Sequence, residues 1–149
     1  MNEVETLFED EEEIARRVHE IARRVLNLGE YVTDQSVLEL ARAEVIGKQV
    51  REECDLIASK VHHARRQVGV MLSQAETVRL KGAERKLEEV LERLSMVHGD
   101  IDAIGRLAEG FFEAKDRNVA FGNMSKLYAR FIGHMTDVLS SSKSLPALL

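Results

Sequence analysis

Residues 40–78 read LARAEVIGKQVREECDLIASKVHHARRQVGVMLSQAETV, and their spacing decides the fold. Leu40, Gly47, Cys54, Val61, Val68 and Ala75 recur every seven residues. Ala43, Val50, Ile57, Ala64, Met71 and Val78 repeat three positions later at the same interval. Apolar residues spaced alternately three and four apart return to one side of an α-helix. That is the a/d seam of a coiled coil or bundle. No Pro interrupts it. The pattern predicts one helix over about 35–80, roughly 68 Å long at about 1.5 Å per residue. Few globular helices run so far, so the chain should form a rod or hairpin of helices rather than a ball.

The same pattern continues on both sides. Upstream, Leu7, Ile14, Ile21 and Leu28 keep the seven-residue interval, with Val4, Val18 and Val25 as the partner series and Glu11 as its one polar member. Ile14-Ala15-Arg16-Arg17-Val18 returns almost literally as Ile21-Ala22-Arg23-Arg24-Val25. These predict a helix over about 3–28. The acidic run 9–13 suits a helix start, Asp10 and Glu13 have capping-box spacing, and Gly29 is placed to end the helix. Thr33 or Asp34 is the expected cap of the long helix.

Downstream, Leu80, Leu87, Leu94, Ile101 and Ala108 run with Ala83, Val90, Val97, Ile104 and Phe111. They predict a helix over about 83–117, whose phase holds across His98-Gly99-Asp100. Near Leu80 the register slips by two positions. Either the chain turns back there, with Gly82 as the C-cap, or one helix continues through a skip in the heptads. Residues 118–123 contain Gly122 and read as a loop. Asn123 then caps a last helix over about 124–140, with Met124, Leu127, Tyr128, Phe131, Met135 and Val138 on one face. The tail, 141–149, carries serines, Pro146 and leucines, and is either frayed or docked. The expectation is a single all-α domain, an elongated antiparallel helical bundle or coiled coil of about four helices, at least two of them long.

The long helix has a second apolar stripe. Val45, Leu56 and Val70 lie away from the seam, because separations of 11 and 14 residues are close to whole numbers of turns. Leu38, Ile46 and Leu72 widen the apolar surface. A helix apolar on two sides needs cover on two sides. The first and last helices look too short to supply it all, so a second chain, identical or different, is expected against the seams.

Composition narrows the function. The 149 residues carry 21 Lys plus Arg against 26 Asp plus Glu, a net charge of -5, which disfavours general nucleic-acid binding. One Cys leaves no intrachain disulfide framework and no multi-cysteine metal site. The first ten residues are acidic, unlike a secretory leader, and no run reaches the roughly 18 apolar residues of a membrane span. The chain therefore reads as soluble and cytoplasmic.

Candidate chemistry is sparse. His19, His62, His63, His98 and His134 form no inward Glu and His pair of the kind that binds metal in helical bundles, and each reads as a solvated or edge histidine. Leu80-Lys81-Gly82 has the Lys-Gly of a phosphotransfer histidine site without the histidine. Cys54 sits on the seam and reads as a small inert hydrophobe. The arginine pairs of the first helix stand four residues after Glu12, Glu13 and Glu20, as on a salt-bridged solvent face. Phe111, Phe112, Phe121, Tyr128 and Phe131 cluster late, as a packed corner or as anchors for a partner. No Gly-rich phosphate loop or Ser-His-Asp order is present.

The expected role is therefore a non-catalytic helical scaffold or adaptor, without cofactor or metal, which pairs with itself or with other helical chains. The expected interaction residues are Leu7, Ile14, Ile21 and Leu28 in the first helix, and Val45, Leu56 and Val70 on the second. Leu80, Leu87, Leu94, Ile101 and Phe111 follow in the third, and Phe131 in the last. The alternative is a chaperone or inhibitor that holds a partner helix in an apolar groove.

Overall fold

The computed structural model describes residues 3–33 and 36–145. Helices α1 (Glu3–Leu28), α2 (Val37–Thr77), α3 (Lys81–Glu109) and α4 (Arg117–Lys143) follow one another, with 3-10 turns at Gly29–Tyr31 and Phe111–Glu113. No strand occurs among the described residues. Each helix packs on its neighbour in sequence, and α4 closes the ring against α1. Short connections make consecutive helices antiparallel, so the molecule is an up-down-up-down four-helix bundle.

The heptad seams line the common axis. Leu7, Ile14, Ile21, Leu28, Val50, Ile57, Val61, Leu87, Leu94, Ile101 and Ile104 have no solvent exposure, and Phe111, Phe131 and Val138 join them. Ala43 to Ala75 on α2 are covered by helices of the same chain. A second chain over the seams, expected from the sequence, is thus replaced by the chain's own four stripes, each closed by the other three.

Ion pairs between the helices mark the register that the buried seams impose. Glu13 meets Lys60 at 3.1 Å, and Arg17 and Arg24 reach Glu53 at 3.7 Å. Arg51 lies between Asp102 and Glu109, and Arg93 meets Asp137 at 2.8 Å. Asp10 faces His63 at 3.7 Å, so Glu3 comes level with about Val70 and α2 runs about two turns further. At about 1.5 Å per residue the 41 residues of α2 span roughly 61 Å, against roughly 39 Å for the 26 of α1. Among the described residues, no helix is long and apolar enough to cross a membrane.

Several boundaries differ from the sequence expectation. The chain does turn back after α2, but at residues 78–80 rather than at Gly82, which lies in the first turn of α3. The Leu80 N–H donates to the Ala75 carbonyl at 2.9 Å and the Arg79 N–H to Glu76 at 3.2 Å. These are the two bonds of a Schellman C-cap. Arg79 takes the left-handed position, with φ of 59°, that glycine usually fills. The helix expected to reach 117 stops at Glu109 before Gly110, and Phe111 enters the core from a 3-10 turn. Residues 118–123, expected as a loop, open α4, because Asp116 accepts a hydrogen bond from the Val119 N–H at 3.1 Å and caps the helix there. Asn123 is thus inside the helix and caps nothing.

Ser36, not Thr33, caps α2, its Oγ accepting from the Glu39 N–H at 3.2 Å, and Asp34 lies outside the described residues. The acidic run 9–13 falls inside α1 rather than at its start. Gly29 follows α1 without a left-handed backbone; a β-carbon there would meet the Phe121 ring at 2.9 Å. Finally, α4 passes 140 to end at Lys143, Leu145 is buried, and the rest of the tail, 146–149, lies outside the described residues.

Candidate functional site

Among the described residues three charged side chains are buried, each held between elements of the bundle. Asp100 on α3 is 3% exposed and faces α4. Its Oδ1 accepts from Nη2 and Nε of Arg130 at 2.6 and 2.9 Å, and its Oδ2 lies 2.8 Å from Nδ1 of His134. Arg130 and His134 stand four apart, so one turn of α4 brings both to one carboxylate. Only the carboxylate is deep, since the Arg130 side chain is 59% exposed. A buried carboxylate left without its partners is costly, so the contact penalises any shift of α3 along α4.

Glu11 is the second. It occupies a seam position of α1 with no exposure, and the Ser142 hydroxyl donates to its Oε1 at 2.9 Å. Its Oε2 has no partner. Burial, aided by neighbouring Asp10 and opposed by the serine bond, pushes its pKa up from 4.5 to about 8. Beside it, Val4, Glu5, Phe8, Ser142 and Lys143 line a shallow pocket of about 230 Å³, where the Lys143 ammonium lies 6.0 Å from the Phe8 ring centre.

Arg117 is the third. Nearly buried at the first residue of α4, it donates from Nε to the carbonyls of Tyr31 and Val32 at 2.9 and 3.3 Å. It ties the α1–α2 connection to the start of α4.

Cys54 is 2% exposed, and burial raises its thiol pKa to about 12, as fits an inert seam cysteine. Among the described residues, no three His, Cys, Asp or Glu side chains converge as metal ligands would.

The expected interaction residues divide sharply. Leu7, Ile14, Ile21, Leu28, Leu87, Leu94, Ile101, Phe111 and Phe131 are wholly buried in this chain's core. Val45 (55% exposed), Leu56 (42%) and Val70 (53%) face solvent along the outside of α2, and Leu80 is exposed at the hairpin tip. The outer stripe is not continuously apolar: exposed Glu52, His63 and Arg66 lie along it. Of the expected glutamate–arginine pairs in α1, Glu13–Arg17 forms at 3.4 Å, whereas Glu20 turns to Arg23 and leaves Arg24 to α2.

Sequence reasoning missed Asp100, Arg130 and His134, because a helical carboxylate beside a glycine looks like a cap and nothing local shows what faces it. Glu11 was visible as the polar break in a seam, a signal that could have marked it as buried. No family model, no curated protein and no solved structure matches this chain.

Proposed function

We propose that this chain is a non-catalytic helical scaffold or adaptor that assembles with other helices through the outward face of α2. One observation carries the reading: Val45, Leu56 and Val70 stay exposed on a helix that outruns α1, although the seam beneath is already closed. Single exposed apolar residues are ordinary on a surface. Three on one side of one helix, on a bundle with no seam left to fill, favour a helix-sized partner.

The paired substitution Leu56→Glu and Val70→Glu tests this by sedimentation velocity. It should leave the melting temperature unchanged at dilutions where the chain is single, because neither residue is in the core, and should reduce the assembled fraction at higher concentration. Assembly that survives the paired substitution would overturn this face as the docking site.

A further inference from the structure

We propose that the occupant of this face is α2 of a second copy of the chain, laid antiparallel, with the two-fold axis at Ser59. The proposal rests on the scaffold reading and adds the partner and the register. Glu52, Ser59 and Arg66 are spaced by seven, so they lie on one line down the outside of α2, within about 20° of each other per heptad. All three are exposed. Glu52 and Arg66 make no ion pair or side-chain hydrogen bond with the described residues of their own chain, unlike Glu53, Lys60 and Arg51 on the flanks of the same helix.

The midpoint of Glu52 and Arg66 is Ser59. Turning a second α2 about that point sets each Glu52 against Arg66 of the other copy, twice over. The same rotation brings Asp55, already met by Arg51 at 3.2 Å, level with the exposed His62 and with His63, whose neighbour in its own chain is Asp10. It also lays Val70 on the stem of Lys48, whose ammonium is drawn aside by Glu44 at 3.3 Å. Ser59 at the centre is small enough for the helices to approach closely.

A parallel pair would place Glu52 on Glu52 and Arg66 on Arg66, so charge selects the antiparallel arrangement. A wholly apolar partner would leave both charges covered and unpaired. A two-fold contact is self-complementary by construction, as this line of residues is.

Cross-linking tests the register. Ser59→Cys should form an interchain disulfide under mild oxidation, seen as a doubled band without reductant, while buried Cys54 stays silent. Ser73→Cys is the control, because its copies would sit about 42 Å apart. Glu52→Arg and Arg66→Glu should each weaken self-association about tenfold or more, since symmetry counts each change twice, and the two together should restore it. Equal cross-linking at 59 and 73, or no restoration by the double exchange, overturns the proposal. If the chain still assembles and Leu56→Glu with Val70→Glu still disrupts it, the scaffold reading stands and only this register fails. A chain that stays single at every concentration rejects a second copy as the occupant and leaves assembly with a different helical chain.

Discussion

Glu11 makes the stability of the bundle depend on pH. The unfolded chain releases this proton near pH 4.5, and the folded chain holds it to about pH 8. Between those values folding retains a proton that unfolding gives up, so the contribution is complete below about 4.5 and is lost as pH rises to about 8. The slope is at most roughly 1.4 kcal/mol per pH unit in that window. Thermal melts should therefore give a lower midpoint at pH 8 than at pH 6, and Glu11→Gln should flatten the difference while keeping an acceptor for Ser142. Equal slopes for the two proteins would show that other groups govern the response. Arg79 gives a second test at this scale. Arg79→Gly removes a left-handed strain, and urea titration should show a gain of about 0.5–1 kcal/mol.

At the scale of helices, close approach is specified at few points. A β-carbon on Gly47 would run into the Ala108 carbonyl at the end of α3. Gly47→Ala should thus cost about 1–3 kcal/mol, although alanine is the better helix former, and an unchanged urea midpoint would refute that contact. Leu94→Ala, in the fully buried seam, should cost about 2–5 kcal/mol by the same measurement.

The heptads made α1, α2 and the body of α3 readable, because Leu7 to Leu28, Leu40 to Ala75 and Leu87 to Ile104 repeat one spacing over many turns and errors average out. The ends were less readable. Asp116 outcompeted Asn123 as a cap through one hydrogen bond, and Arg79 took a position where glycine was sought and found at 82. Such choices depend on single contacts that no repeat reinforces. The partition of apolar residues between inner and outer faces was legible in Val45, Leu56 and Val70, but what covers the inner face was not. Spacing shows that a stripe needs a partner without showing whose helix supplies it.

At the scale of the whole molecule, the interior is complete within one chain and the exterior is not uniform. α2 carries the core on one side and, on the other, exposed apolar residues beside Glu52 and Arg66, opposite charges that make no ion pair with the described residues. A bundle of this form stays folded alone and associates through a surface, so assembly should depend on concentration and salt, and at dilutions where the chain is single the melting transition should report the core alone. Light scattering of the purified chain across a concentration series tests that separation most directly. A bundle that pairs through α2 will be fully helical, with a mass that rises from 16.8 kDa towards twice that value and falls back as salt is added. A mass fixed at 16.8 kDa throughout, or a dimer that comes apart only when the helices melt, would contradict it.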